Sequence, residues 1–186
     1  MALRLVLAGS MLALTTLRPA LAQPPAHRGT ASSDSAIYAT FFETLNRQPR
    51  DTIFAEEHSI VFQGISPHYD SITPGLAATL IEGSAPPRKT SSLHLPPPLV
   101  IFSAATPQTV REGAMYGAPG PGPKSAQGIK GVWQFSPIAY SRDGREAMFY
   151  YRLVCGSLCG EQTIVWETKD GKGRWQIKRT AILFIS

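Results

Sequence analysis

The last third of the chain constrains the fold most, because four apolar segments there are separated by short turns. The segments are rich in β-branched and aromatic residues, which favour strands. The turns contain Asp143-Gly144 and Asp170-Gly171, pairs that are typical of tight hairpins because glycine readily takes a positive φ. The pattern predicts an antiparallel meander with strands at residues 133–140, 146–154, 162–168 and 175–185.

The second of these segments indicates how the sheet is buried. Ala147, Phe149, Tyr151 and Leu153 alternate with their neighbours, so they lie on one face of a strand. An apolar sheet face needs a cover, and we expect one or more helices to cover one face of the meander.

Two short helices are predicted in the N-terminal half. In residues 34–47 apolar side chains recur at helical spacing, and Ser33 or Asp34 can cap the first turn. A second helix is predicted to begin at Thr73-Pro74, and a weaker third one at Thr106-Pro107.

The order of these elements predicts an α+β fold. About four C-terminal strands form an antiparallel meander with one or two N-terminal strands, from residues 52–58 and 59–62, packed against one or two short N-terminal helices. Between about residues 83 and 128, proline and glycine tracts exclude regular helix and central strand, with 99–102 as the one apolar island. We interpret this segment as an excursion on a single domain, residues 34–186, because its flanks are too small to fold separately.

The N terminus predicts an exported protein. Arg4 precedes an apolar run, and Ala20-Leu21-Ala22 provides a cleavage site, so residues 1–22 have the arrangement of a secretory signal peptide. The apolar run is too short to cross a bilayer, which takes about 20 residues. A buried N-terminal helix is the alternative interpretation. Residues 23–33 are polar and are predicted to form a flexible leader.

Cleavage of the signal would remove Arg4 and Arg18, which lowers the formal net charge from +5 to +3. The remaining basic residues are dispersed, and we therefore expect no nucleic-acid partner. No second long apolar stretch follows, so no membrane span is expected after cleavage. A periplasmic or secreted location is predicted, with an envelope protein or a small ligand as the partner classes left open.

Both cysteines of the chain lie in one motif, Cys155-Gly-Ser-Leu-Cys159-Gly, between two predicted strands. In an exported protein two lone cysteines usually pair, and a three-residue turn would place Cys155 and Cys159 face to face for a structural disulfide. A redox-active pair and a metal site are the alternatives. The first prefers the spacing C-x-x-C at a helix start, and the second needs two further ligands.

The region 136–186 resembles a family of small exported bacterial proteins of uncharacterised function. The shared features are the C-G-x-L-C-G loop at residues 155–160, the Gly173-Arg-Trp175 hairpin and the terminal Ile185-Ser186. Ala139 departs from the pattern, which has glycine there. The resemblance implies a fold element and an extracytoplasmic address, and it implies no activity.

Three ionisable residues are candidates for a pocket: Glu56, His58 and Asp70. Glu56 and His58 would share a face of a strand, as a general base and its partner do, although the solvated face of an edge strand has the same pattern. We find no serine-nucleophile or phosphate-binding motif and no paired histidine spacing, so no catalytic, cofactor or metal residues are predicted.

The leading hypothesis is therefore an exported structural or interaction module without enzymatic activity. The alternative is a protein that binds or hydrolyses a small ligand in a pocket of the nuclear-transport-factor-2-like type. It depends on the order of helices and meander, and on Glu56, His58 or Asp70 facing an apolar cavity.

Overall fold

The computed structural model describes residues 30–45, 52–64, 74–116 and 131–186, which contain three α-helices, one 3₁₀ helix and seven strands. The predicted signal peptide and most of the predicted leader lie outside these residues. The elements follow one another as α1 Ala31–Thr44, β1 Ile53–Glu56, α2 Pro74–Ser84, the 3₁₀ helix Thr90–Leu93, β2 Leu99–Phe102, α3 Gln108–Tyr116, β3 Val132–Phe135, β4 Ala139–Tyr140, β5 Glu146–Gly156, β6 Cys159–Lys169 and β7 Trp175–Ile185.

The strands form one mixed sheet in the order β2-β1-β3-β5-β6-β7, and β4 pairs with β5 beyond the end of β3. The predicted α+β class and the C-terminal antiparallel strands are confirmed. The expectation of a purely antiparallel sheet is wrong, because β1 runs parallel to both β2 and β3. Parallel neighbours need long crossovers, and the segments that contain α2 and α3 provide them.

Part of the proline- and glycine-rich excursion is regular structure. Its apolar island is β2, which pairs with β1 from Ile53↔Leu99 to Glu56↔Phe102. The weak third helix predicted after Thr106-Pro107 is α3, which packs on this corner of the sheet through Val110 and Ala114. Residues 117–130 lie outside the described part of the chain.

Helix α1 begins three residues earlier than predicted. Thr30 is its N-cap, and the Thr30 hydroxyl accepts a hydrogen bond from the Ser33 amide at 3.3 Å. Threonine is a good cap, and it is preferred here over Ser33 and Asp34, which become part of the first turn. The carboxylate of Asp34 then lies at the positive end of the helix dipole.

Helices cover both faces of the sheet, and the expectation that they would cover one face is wrong. Helix α1 packs on one face, against the alternating residues predicted to be buried, Ala147, Phe149, Tyr151 and Leu153. Helix α2 packs on the other face, against Met148 and Tyr150. Strand β5 is buried on both sides because the intervening positions are apolar or aromatic as well.

The two predicted Asp-Gly turns close the hairpins β4–β5 and β6–β7. Gly144 takes φ of 65° in the first, as expected. In the second the positive φ belongs to Gly173, at 78°, not to Gly171. One oxygen of Asp170 accepts the amides of Lys172 and Arg174 at 2.8 and 2.9 Å, which fixes this turn.

Cys155 and Cys159 lie at disulfide distance, with their Cα atoms 5.0 Å apart. Strands β5 and β6 continue past the cysteines, so that Gly156 pairs with Cys159 and a register shift falls between Val154 and Gly156. The turn therefore consists of residues 157–158, one residue shorter than predicted.

We predict that a Cys155→Ser, Cys159→Ser double variant folds but melts at a lower temperature. A loop this short restrains the unfolded chain by about 2 kcal/mol. Because ~1 kcal/mol corresponds to about 2–4 °C at this size, the midpoint should fall by about 4–8 °C. Thermal unfolding followed by circular dichroism measures the shift, with Ser157→Ala as the control in the same loop. An unchanged midpoint, or a variant without cooperative unfolding, would contradict this role.

Candidate functional site

The structure places Glu56 and His58 in different environments. Glu56 is the last residue of β1, and its carboxylate forms a salt bridge with Arg111 of α3. Arg111 also donates to the carbonyl of Ser103 at 2.7 Å, so the pair anchors α3 to the sheet. His58 is exposed beyond the end of the strand, in a backbone bridge with Lys89.

Glu56 and His58 are not hydrogen-bonded to each other, and the solvated edge-strand face offered as the other interpretation does not fit β1 either. Strand β1 lies between β2 and β3, so it is not an edge strand. Arg111, and not His58, is the partner of the Glu56 carboxylate. Asp70 lies outside the described residues.

A different acidic residue, Glu167, is fully buried in the protein core. It lies on β6 between Ala147 and Ile177 of the neighbouring strands, and its exposed fraction is 0%. Neither carboxylate oxygen has a hydrogen-bond partner among the described residues. Burial raises the pKa of Glu167 to about 8, because an ion without partners is costly in an apolar interior. The carboxyl is therefore largely protonated at neutral pH.

Glu167 lies on the face of the sheet that α1 covers. Alternation along β6 places it on the same side as Val165, which belongs to the α1 core. A register shift in the β6–β7 ladder falls between Trp166 and Glu167, and bulges of this kind are frequent beside functional sites.

A second carboxyl, on α1, shares the neighbour Tyr140 with Glu167. The Tyr140 hydroxyl donates to Asp34, which joins β4 to the first turn of the helix. Burial raises the pKa of Asp34, and the hydrogen bond from Tyr140 opposes that shift. Burial, and then the bond to Asp34, raise the pKa of Tyr140 far above its usual value, and the charge of Glu167 adds to that shift. Glu167, Tyr140 and Asp34 therefore form one electrostatic cluster, which we call the α1 acid cluster.

An open groove of about 520 Å³ runs beside this cluster, between α1 and the β6–β7 turn. Small α1 residues, Ala36, Ala39 and Thr40, line one wall, and Trp175 lines the other. The Trp175 ring packs against Tyr140 with 6.2 Å between centroids. Glu167 does not line the groove.

The outer edge of the sheet, β7, is the second feature of functional interest. Four apolar side chains are exposed at its C-terminal end and at the tip of the β5–β6 hairpin, and we call them the C-terminal patch: Ile182, Phe184, Ile185 and Leu158. Phe184 and Ile185 are 52% and 68% exposed. The backbone of Ser186 pairs with Gly160, so the end of the chain is held beside the cysteine loop.

Sequence reasoning missed the α1 acid cluster, although one signal for Glu167 was present. Residues 162–168 were predicted to form a strand, and Glu167 alternates there with Val165, which assigns it to the core face. The proximity of Asp34 to Tyr140 had no local signal, since 106 positions separate them.

No helix in the described ranges is long and apolar enough to cross a membrane. No known protein family, curated protein or solved structure matches the chain. The resemblance of residues 136–186 to a family of exported proteins stays a prediction.

We predict that the free energy of unfolding falls as the pH rises from about 5 to about 8. In that range the folded state keeps the proton on Glu167 and the unfolded state loses it, so the unfolded state binds fewer protons and stability declines. The difference between the usual pKa of 4.5 and about 8 corresponds to about 5 kcal/mol at most.

Urea unfolding at several pH values tests this prediction. Glu167→Gln should remove most of the slope and be more stable than the wild type at about pH 8, whereas Glu43→Gln, an exposed carboxyl on α1, should keep the slope. A wild-type protein that is equally stable across this range would contradict the burial of an unpaired carboxyl.

Proposed function

We propose that the protein is an exported interaction module that binds an extended segment of another envelope protein along β7. The observation that carries the proposal is the composition of this edge. Residues 180–185 form the C-terminal half of β7 and contain no charged residue, proline or glycine. Such a segment on an open edge favours pairing with another strand.

Natural edge strands usually carry protection against such pairing. On β7 the charged residues are Lys178 and Arg179, both in its first five positions. Lys178 is held against the Trp166 ring, 3.8 Å from the centroid, and against Glu146 at 2.9 Å. The half that carries the C-terminal patch has no comparable side chain, which supports a role for it in binding.

Charge favours a different protein over a second copy as the occupant. Antiparallel pairing of two full β7 strands about their centre would place the two Arg179 side chains diagonally across the pair on one face, where like charges repel each other. A partner strand with alternating apolar residues and one acidic residue would fill the same edge without that repulsion.

Two sequence features support export. The arrangement of residues 1–22 is that of a secretory signal peptide, and a structural disulfide at Cys155 and Cys159 is typical of proteins in an oxidising compartment. Mass spectrometry of protein recovered from producing cells should find an N terminus at or near Gln23. A full-length chain confined to the cytoplasm would contradict export.

The alternative function, a small-ligand-binding or hydrolytic protein of the nuclear-transport-factor-2-like type, is favoured by one observation, the groove beside Trp175. Its Trp175 wall suits a flat ring, and the charged and amide side chains that also line it, Glu43, Asp170, Arg174 and Gln176, suit a ligand with polar groups. Of the predicted pocket residues that the structure describes, neither Glu56 nor His58 lines that groove.

Strand addition is tested with a short peptide of alternating valine and threonine that carries glutamate at one end. We expect the amides of residues 180–185 to gain hydrogen-exchange protection when it binds. Ile182→Lys with Phe184→Lys should weaken binding at least about tenfold, because charge protects an edge. Ile81→Lys changes an exposed apolar residue on α2 and should leave binding unchanged.

Three outcomes would contradict the proposed partner class. The first is unchanged protection of β7 at saturating peptide. The second is equal binding of a peptide with lysine in place of the glutamate. The third is a stable dimer whose β7 amides are protected without any peptide, which would identify a second copy as the occupant.

A further inference from the structure

The α1 acid cluster places two carboxyl groups in the interface that α1 forms with the sheet. Glu167 is under the helix layer with no hydrogen bond among the described residues, and Asp34 is on the helix itself. Tyr140 donates a hydrogen bond to Asp34, and it is close enough to Glu167 for a negative charge there to raise the pKa of Tyr140. A negative charge on Glu167 would therefore form in an apolar layer beside Tyr140, without a hydrogen-bond donor among the described residues.

Among the described residues, the groups that face this layer offer Glu167 no compensating charge. From α1 they are Asp34 and Tyr38, and the Tyr38 hydroxyl is already committed to the carbonyl of Ser136 at 2.8 Å. Tyr140 faces it from β4, and β5 contributes the apolar Ala147. Lys169 follows on β6, but its ammonium lies over the Trp175 ring, 4.7 Å from the centroid.

The remaining neighbours in the described part of the chain provide no charge for the carboxyl either. Strand β7 contributes Ile177 opposite Glu167. Lys178 is bound to Glu146 and to the ring of Trp166, whose side chain belongs to the core on the α2 face. His94 and Arg88 act on Asp34 from the segment around the 3₁₀ helix, and burial is the only cause of the shift at Glu167.

We propose that α1 is a proton-held cover, which lies closed on the sheet while Glu167 is protonated and opens locally when Glu167 ionises. The cost of the buried charge is relieved when the helix lifts and water reaches the carboxylate. Opening would expose an aromatic surface that includes Trp133, Phe135 and Phe149, now covered by Phe41. The inference is independent of the partner proposed for β7.

Proton linkage determines how strongly the opening equilibrium of α1 depends on pH. Between the ordinary pKa of a glutamate and about 8, each opening event releases one proton, so the opening equilibrium of α1 should rise about tenfold per pH unit. Above about pH 8 the carboxyl is ionised in both states, and the opening equilibrium should become constant.

Hydrogen exchange of the α1 amides, residues 37–42, tests the proposal from about pH 5 to about pH 9. Rates are first corrected for the intrinsic pH dependence of exchange, so that protection factors are compared. In the wild type the α1 protection factor should fall about tenfold per pH unit and then level off, while β5 amides stay more protected than α1 at every pH. Glu167→Gln should make α1 protection independent of pH.

Two matched variants complete the design. Glu43→Gln on α1 should behave as the wild type, and Asp34→Asn should keep the dependence on Glu167. The proposal is overturned if wild-type α1 protection does not change with pH, if Glu167→Gln keeps the change, or if α1 and β5 amides have equal protection factors, because α1 would then open only by global unfolding. If Glu167→Gln does not fold, the protection factors of the α1 and β5 amides in the wild type, compared at each pH, decide between local opening and global unfolding.

Discussion

The packing of α1 on the aromatic face of the sheet is the interaction on which the rest of the structure depends. The Phe41 ring lies 5.0 Å from Tyr151, 5.4 Å from Phe149 and 6.0 Å from Trp133, centroid to centroid. Aromatic pairs in tilted and edge-on geometry contribute about 0.5–1.5 kcal/mol each beyond the area they bury. Because this layer excludes water, every polar group that enters it must find a protein partner or remain uncharged.

The polar groups of the layer meet this requirement in different ways. Tyr38 donates to a backbone carbonyl, and Tyr140 donates to Asp34. Glu167 has no such partner among the described residues and remains protonated instead. The same packing that stabilises the sheet therefore raises the pKa of one carboxyl into the physiological range, which connects the core to the proposed movement of α1.

The C-terminal hairpins could be predicted because their signals are local. Alternation at Ala147, Phe149, Tyr151 and Leu153 and the glycine at Gly144 each act over a few residues. The parallel pairing of β1 with β2 could not be predicted in that way, since it joins segments separated by α2 and the 3₁₀ helix. Burial of the second face was signalled by Met148 and Tyr150, but it requires knowledge of where α2 packs.

The candidate site was less predictable than the fold, for a physical reason. Glu56 and His58 were selected because ionisable residues are dense there, yet density along the chain says little about burial or partners. Glu167 is a single acid among apolar neighbours, and its importance follows from what surrounds it in space. Its relation to Asp34 and Tyr140 arises only when α1 docks on β4 and β6.

The most direct measurement of the central claim is the titration of the Glu167 carboxyl carbon by NMR in ¹³C-labelled protein, assigned by comparison with Glu167→Gln. The account predicts a midpoint near 8, far above the usual 4.5. A Glu167 midpoint near 4.5 in the folded protein would show that the carboxylate is solvated or paired. It would contradict both the buried site and the proton-held cover.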